Sequence, residues 1–263
     1  MDLGLKGKAI IVTGGASHIG QAIVFAFAAE GSRLAIIDKD AAQAELTIAE
    51  AKRRGAPFAT VVRADLADHD AADQACQHAM QQLGAIDVLA ANVGANWPKF
   101  FLETPPETWD HLLHLNLGAA MSCVRAVLPR MIEQQQGSIV ATASTAAFGE
   151  PRRSVYAAAK AGVVAFIKTI ALEYGRYGIR ANLVAPGLVL PGQTEKLGAE
   201  SIWRDRDSIM NDAQIEYVVR NTPLRRLSRP EDIAKSVLFL ASDETARQLA
   251  GQMLTVSGGF AMR

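Results

Sequence analysis

Two side chains that could move a proton stand four residues apart in the stretch SVYAAAKAGVV, at Tyr156 and Lys160. Four residues are about one turn of an α-helix, so both side chains would lie on one face of it. A phenol titrates near ~10, and a neighbouring ammonium lowers that pKa by stabilising the phenolate. Tyrosine could then serve as a general acid or base. A tyrosine and a lysine at this spacing are more often an ordinary half-buried tyrosine and a solvated lysine. Whether the pair is catalytic therefore depends on the residues around it.

Those neighbours are Ser144, which closes the apolar run SIVATAS 12 residues before the tyrosine, and Asn116, which lies in a helical pattern 40 residues before it. A serine hydroxyl could orient a carbonyl or alcohol oxygen. An asparagine within a helix could hold a water molecule that links the lysine to bulk solvent. Thr142 and Thr145 are weaker alternatives to Ser144. The set predicts proton transfer at a carbonyl or alcohol.

A second group of residues, AIIVTGGASHIGQAIVFAFAAEG, reads as a strand, a glycine turn and a helix. Gly14 would make the tight bend, and Gly20 would let the helix pack close to the strand. The helix that begins near Ser17 would direct its free N–H groups and its positive dipole end at a phosphate. His18, followed by Ile19, stands inside the turn. We expect its ring to be a tolerated spacer, with a phosphate or ribose contact as the alternative.

The second apolar run ends at Asp38, 18 residues after Gly20. A carboxylate there can accept both hydroxyl protons of an adenosine ribose and would repel a 2′-phosphate, so we expect NAD rather than NADP. Asp65, at the end of the third run, could meet the adenine amino group, with Leu66 lining the base.

Seven short apolar runs alternate with helical patterns along the chain. The runs are KAIIVTG, RLAIIDKD, FATVVRADL, IDVLAANVG, GSIVATAS, IRANLVAPG and GQMLTVSGG, and the helical patterns include 41–54, 68–83, 106–134, 154–175 and 230–241. Apolar strands separated by helices predict an α/β fold: a doubly wound, Rossmann-type parallel sheet of seven strands with helices on both faces. We expect a single domain over residues 1–263, with a substrate lid at about 187–228 that has helical pieces of its own.

The composition limits the classes of partner. Lys plus Arg and Asp plus Glu number 27 each among 263 residues, so the charge balance favours neither nucleic acid nor an anionic membrane surface. No secretory segment is recognised and no apolar run is expected to reach membrane-spanning length, which predicts a cytoplasmic protein. Cys76 and Cys123 are expected to be buried free thiols, and no metal site is predicted.

These elements together resemble the short-chain dehydrogenase/reductase family over nearly the full chain. The matching segments are TGGASHIG, Asp38, ADL at 64–66, ANVG at 91–94, Asn116, Ser144, YAAAK at 156–160, APG at 185–187 and VSGG. The resemblance implies a catalytic tetrad. Tyr156 would be the acid/base, Ser144 would polarise the reacting oxygen, Lys160 would bind the nicotinamide ribose and lower the tyrosine pKa, and Asn116 would support a proton relay. It also implies cofactor contacts from Asn92, Gly94, Pro186, Gly187 and Val189, and a homotetramer with a helix bundle formed around 106–134 and 154–175.

The sequence departs from the family pattern in the turn, where His18 replaces a glycine, and at Pro191, where threonine is common. The spacing between Ser144 and Tyr156 is also one residue shorter than expected. Asn92 belongs to ANVG, where the family has NNAG.

The substrate is expected to be a small hydrophobic secondary alcohol or ketone, or an acyl thioester. Trp97, Phe100 and Phe148 are candidate apolar walls, and Arg152 and Arg153 could meet an anionic tail such as a coenzyme A or a carboxylate. The chain is similar to bacterial cyclic-alcohol and 2-hydroxycyclohexanecarboxyl-CoA dehydrogenases. A 3-oxoacyl-acyl-carrier-protein reductase, which usually prefers NADPH, is one alternative, and a non-catalytic NAD-binding regulator is another.

Overall fold

The structure, a computed structural model, describes residues 2–16, 18–190 and 210–261. The strands are Ala9–Thr13 (β1), Arg33–Asp38 (β2), Ala59–Arg63 (β3), Val88–Ala91 (β4), Gly137–Thr142 (β5), Ile179–Pro186 (β6) and Met253–Val256 (β7). The helices are His18–Ala29 (α1), Ala41–Arg53 (α2), His69–Leu83 (α3), Pro106–Leu113 (α4), Ala119–Gln134 (α5), Ser154–Tyr174 (α6), Asp212–Asn221 (α7), Pro230–Ala241 (α8) and Asp243–Ala246 (α9). A π-helical segment, His114–Gly118, joins α4 to α5.

All seven strands run parallel in one sheet, in the order β3-β2-β1-β4-β5-β6-β7. This confirms the predicted doubly wound sheet. From β1, the next two strands are added on one side of the sheet, and the strands from β4 onward are added on the other side. β1 and β4 therefore lie side by side, although two strands and three helices separate them in sequence. At such a switch point the loops after the two strands diverge and leave a crevice at their carboxyl ends.

Alternate side chains of β1 pack into two apolar layers, one on each face of the sheet. Ile11 belongs to the layer that includes buried residues of α3, α5 and α6. Ile10 and Val12 belong to the opposite layer, with α1, α2 and α8. Because both faces are covered, the strands are apolar throughout, which explains the continuous runs in the sequence.

The segment 187–228 is partly described. Val189 and Ser228 form an isolated parallel bridge near its two ends, and α7 lies within it. Residues 191–209, including Pro191, lie outside the described part of the chain. The assignment of this segment as a substrate lid on a single domain stays a prediction.

Two helical stretches depart from the sequence-based expectation that no segment reaches membrane-spanning length. Pro106–Gln134, with 29 residues, and Ser154–Tyr177, with 24 residues, are long and apolar enough to cross a membrane by length and composition. Both contribute buried residues to the core layer that includes α3, α5 and α6. Core helices pass the same test, so these two are weak evidence for a membrane span.

The two cysteines are free and buried, as predicted, and they lie side by side between α3 and α5. The hydrogen bond with Cys123, together with burial, raises the pKa of the Cys76 thiol. A thiol that stays protonated and shielded from solvent is a poor nucleophile.

We therefore expect neither thiol of the native protein to react with an aromatic disulfide reagent within minutes at pH 8, and both to react in denaturant. The measurement is the absorbance of the released thiolate, with Cys123→Ala as a control that should halve the signal after unfolding. A native-state rate equal to that of free cysteine would contradict this packing.

Candidate active site

A cleft with a volume of about 680 Å³ opens at the carboxyl ends of the strands. It is lined by most of the site residues predicted from the sequence: Gly14, His18, Ile19, Gly20, Asp38, Asp65, Leu66, Asn92, Gly94, Ser144, Tyr156, Lys160, Pro186, Gly187 and Val189. Asn116 lies directly behind this wall, and Ser17 lies outside the described residues. The structure thus brings the two predicted halves of the site, the glycine turn and the tyrosine helix, to one cleft.

The glycine turn is closely packed against the start of α1. Gly14 has a φ of 65°, which glycine adopts without strain. A Cβ on Gly20 would stand 1.8 Å from the carbonyl oxygen of Gly14 and 2.9 Å from Nδ2 of Asn92. The helix can begin this close to β1 only because Gly20 has no side chain, as the sequence predicts.

His18 adopts a left-handed backbone conformation, with a φ of 51°, at the position where the family has glycine. Its ring hydrogen-bonds with the backbone of Leu190, at the end of the segment that follows β6. Burial lowers the pKa of His18 to about 4, although the Leu190 bond and the charge of Glu231 act in the opposite direction. The ring is therefore neutral near pH 7, and it links the turn to the Pro186–Leu190 segment. Nothing in the sequence pattern predicts this contact.

Asp38 is part of the wall between the glycine turn and α2. One carboxylate oxygen accepts the backbone N–H of Ala16 at 2.9 Å, and the other accepts that of Asp40 at 3.0 Å. Burial raises the pKa of Asp38, while the N–H bonds act in the opposite direction. Beyond it, Asp65 is exposed and Leu66 is buried, which suits a polar contact beside an apolar wall.

Asn92 connects three strand ends. Its backbone N–H donates to the hydroxyl of Thr13 at 3.0 Å, and its side-chain Nδ2 donates to the carbonyl of Gly14 at 3.4 Å. Its Oδ1 accepts the hydroxyl of Thr142 at 3.1 Å. The ends of β1, β4 and β5 are thereby held together. Because the Thr142 hydroxyl donates to Asn92, Thr142 is disfavoured as the alternative to Ser144.

Lys160 is almost completely buried, with 3% of its surface exposed, and its Nζ donates to the carbonyl of Thr142 at 2.8 Å. Burial lowers the pKa of Lys160 to about 8, so the amine is mainly charged near neutral pH. Nζ lies 5.8 Å from the centre of the Tyr156 ring. Tyr156 and Lys160 lie on one face of α6, as predicted.

Tyr156 and Ser144 hydrogen-bond with each other. The Ser144 hydroxyl also accepts the backbone N–H of Ala146 at 3.1 Å, which fixes the side chain at the end of β5. Thr145, the other alternative to Ser144, does not line the cleft among the described residues.

Burial raises the pKa of Tyr156, which is opposite to the effect predicted for the neighbouring ammonium. The Ser144 hydrogen bond and the charge of Arg153 act in the lowering direction. Desolvation of a phenolate outweighs these favourable contacts. The pKa-lowering effect expected from the Lys160 ammonium together with the positive charge of a nicotinamide stays a prediction.

Asn116 belongs to the π-helical segment His114–Gly118, whereas the sequence predicted a regular helix at this position. Its Nδ2 donates to the carbonyls of Ala95 and Leu112, each at 2.9 Å. Its Oδ1 is buried and has no hydrogen-bond partner among the described residues. A Cβ on Gly94 would stand 2.5 Å from that oxygen and 3.1 Å from Nζ of Lys160. A buried acceptor beside an ammonium is suited to a water molecule that bridges the two.

The substrate side of the cleft includes Trp97, which is 47% exposed, and Arg153. Nη1 of Arg153 lies 3.0 Å from the carboxylate of Glu150. The guanidinium of Arg152 lies 5.8 Å from the centre of the Phe100 ring, at the rim. Phe100, Phe148 and Arg152 are not among the described residues that line the cleft.

The residues present fit a nicotinamide dinucleotide. Gly20 packs closely against Gly14, which places the start of α1 next to the end of β1. The backbone N–H groups at this helix N-terminus could bind a pyrophosphate. Asp38 stands where a ribose would be bound, and Gly94 leaves space beside Lys160 and the unpartnered Oδ1 of Asn116.

Comparisons with known proteins agree with this geometry. The sequence model of the short chain dehydrogenase family matches residues 8–201. A 3-oxoacyl-[acyl-carrier-protein] reductase from Synechocystis is 33% identical over 98% of both chains. The (2S)-[(R)-hydroxy(phenyl)methyl]succinyl-CoA dehydrogenase subunit BbsD from Thauera aromatica is 32% identical over 98% of both chains.

Among solved structures, a 7α-hydroxysteroid dehydrogenase in complex with NADH and 7-oxoglycochenodeoxycholic acid superposes with a TM-score of 0.89 and 30% identity, over 98% of this chain and 96% of that chain. The sequence match, the sheet order and the arrangement of Ser144, Tyr156 and Lys160 lead to one assignment. The chain belongs to the short-chain dehydrogenase/reductase family and is an oxidoreductase of that family.

Proposed function

We propose that the chain transfers hydride between NAD(H) and the carbon of a secondary alcohol or ketone, with Tyr156 as the acid/base. The observation that carries the proposal is the shared cleft. The Tyr156 phenol, hydrogen-bonded to Ser144 and 5.8 Å from the Lys160 ammonium, faces the same space as the glycine turn.

The chain's own residues account for the proton. The Ser144 hydroxyl and the Tyr156 phenol both bind the substrate oxygen, so the tyrosine can accept an alcohol proton or donate one to a ketone. Lys160 stabilises the phenolate by its charge. A water held at Oδ1 of Asn116 would pass the proton onward. The nicotinamide, when bound, supplies the site that accepts or donates hydride.

The preference for NAD rests on Asp38. A carboxylate that accepts the N–H groups of Ala16 and Asp40 is held in place at the ribose end, where it would repel the charge of a 2′-phosphate. We also propose that Pro186, Gly187 and Val189 contact the nicotinamide and that Asp65 and Leu66 contact the adenine.

A 3-oxoacyl-acyl-carrier-protein reductase is a second candidate, since several relatives with 31% to 34% identity carry that name. Their usual preference for NADPH is opposed by Asp38. A non-catalytic regulator would have no need of Ser144 and Tyr156 in contact.

The assembly is proposed to be a cytoplasmic homotetramer. Met121 on α5 is 45% exposed and Leu172 on α6 is 85% exposed. These are the two helices that the family resemblance assigns to a bundle between subunits, and a second copy would remove the two apolar side chains from water.

Replacement of the tyrosine tests the reaction. Tyr156→Phe removes the transferable proton, so we expect NADH formation from a panel of secondary alcohols to fall by at least ~10²-fold. NAD affinity should change by less than about threefold, because the phenol hydroxyl is not part of the pyrophosphate turn. Absorbance at 340 nm and NADH fluorescence give the two measurements.

Tyr177→Phe is the matched control, since Tyr177 lies in the short turn Gly175–Tyr177 after α6. It should behave as the unchanged protein. Turnover by Tyr156→Phe at the unchanged rate would disprove the assigned acid/base.

Replacement of the ribose carboxylate tests the cofactor. In Asp38→Asn the repulsive charge is lost, so the ratio of kcat/KM with NAD to that with NADP should fall at least ~10-fold. Asp68→Asn changes a carboxylate that caps the N-terminus of α3 and is not among the described residues that line the cleft, so it should leave the ratio unchanged. A wild-type enzyme that prefers NADP would contradict the proposal.

Replacement of the turn histidine tests its charge. Since His18 has a pKa of about 4, its ring should stay neutral from pH 5.5 to 8. The ratio of NADH dissociation constants for the unchanged protein and His18→Gly should therefore be constant over this range. A ratio that titrates near the ordinary imidazole pKa of about 6.5 would show a charged contact with the phosphates.

A further inference from the structure

Arg153 provides a positive charge inside the cleft, next to the reacting groups. It immediately precedes α6, and its side chain is only 17% exposed. Its Nη1 contacts both oxygens of Glu150 at 3.0 Å. The remaining donors, Nε and Nη2, make no hydrogen bond with any residue in the described ranges. A guanidinium is always charged, and its planar donors match a carboxylate.

The position of Arg153 places this charge near the substrate carbon. Three residues of an α-helix rise by about 4.5 Å along the axis, so the backbone of Arg153 lies less than one helical turn from that of Tyr156. Ser144, Arg153 and Tyr156 line the same cleft, and the charge of Arg153 acts to lower the pKa of Tyr156. A group bound by Arg153 would therefore share this cleft with the oxygen that Tyr156 and Ser144 bind.

The surroundings of Arg153 add positive potential. The N-terminus of α6, a helix of 21 residues, has no side-chain cap, so its first N–H groups and its dipole favour an anion. The neighbouring Arg152 has a φ of 64° and a buried Nε with no hydrogen-bond partner among the described residues. Glu150 offsets one of the two arginine charges.

The acidic residues of the cleft lie elsewhere. Asp38, Asp40 and Asp65 line its adenosine end, and Glu107 projects from α4 on the other wall. Trp97 gives the substrate side an apolar surface.

We propose that Arg153 binds the carboxylate of the substrate, and that the substrate class is a hydroxy or oxo acid whose carboxylate is separated from the reacting carbon by about one further carbon. The inference rests on the proposed function and narrows it. A neutral ester or thioester carbonyl has no charge for the guanidinium, so the free acid is the preferred form. The apolar part of the acid lies toward Trp97.

The experiment compares matched pairs of substrates: 3-hydroxybutyrate, 3-hydroxy-3-phenylpropanoate and 2-hydroxycyclohexanecarboxylate, each against its methyl ester, with NAD. We expect kcat/KM for at least one acid to exceed that for its ester by at least tenfold. In Arg153→Gln this preference should disappear, mainly through a higher KM for the acid. Arg153→Lys keeps a charge and should restore part of the preference.

The ester separates substrate binding from the influence of Arg153 on the tyrosine. A higher Tyr156 pKa in Arg153→Gln shifts the pH profile for acid and ester alike, whereas a lost carboxylate contact changes only their ratio. Arg247→Gln is the matched control, because Arg247 is exposed and follows α9. It should leave the ratio unchanged.

Three outcomes would overturn the inference. Equal turnover of acids and esters, or a preference for esters, would exclude a carboxylate site while leaving the dehydrogenase assignment intact. A preference for acids that persists in Arg153→Gln would exclude this residue. If NADH binds but neither acids, esters nor uncharged secondary alcohols are oxidised, the proposed function fails, and the inference fails with it.

Discussion

The hydrogen bonds of Asn92 hold the two halves of the site in one frame. This residue follows β4 and is bonded to Thr13 at the end of β1 and to Thr142 at the end of β5. The carbonyl of Thr142 accepts the buried Lys160 ammonium at 2.8 Å, so the same set of bonds extends to α6. The glycine turn leaves from β1, and Ser144 follows β5. Their relative position therefore depends on an amide that reaches across the switch point of the sheet.

Burial makes this frame energetically demanding. A buried polar group without a partner costs about 1–3 kcal/mol, so each donor and acceptor of the Thr13, Asn92 and Thr142 set must be matched. Replacing Asn92 would leave several partners unsatisfied at once. The position of the reacting groups therefore also depends on residues that touch no reacting atom.

Periodicity and strand-end chemistry were sufficient to predict the sheet, because each strand is buried on both faces and each ends in a polar or glycine-containing turn. They also predicted which residues meet in the cleft: Ser144, Tyr156 and Lys160 share it with the turn of Gly14 and Gly20. Helix spacing fixes the Tyr156–Lys160 pair locally, so no tertiary information was needed for that part.

The remaining features depend on contacts between segments distant in sequence. The π-helical segment around Asn116 could not be distinguished from regular helix, since its apolar spacing is the same. The contact between His18 and Leu190 joins residues more than 170 positions apart. Thr142 was considered as a catalytic hydroxyl, and its role in holding Asn92 is evident only when β4 and β5 are adjacent.

Desolvation determines how the cleft can ionise. It raises the pKa of Tyr156 and lowers that of Lys160 to about 8, so the phenol is neutral while the amine stays mainly charged near neutral pH. The phenolate must then be stabilised by neighbouring groups, and Coulomb interactions are stronger in such a site than in water. Ser144 and Arg153 both act on the phenol in the direction that favours phenolate. Because Arg153 also contacts Glu150, its effect on the tyrosine depends on how many anions share the guanidinium. An anion bound there would weaken that effect and favour the protonated phenol, which is the form that donates a proton to a ketone.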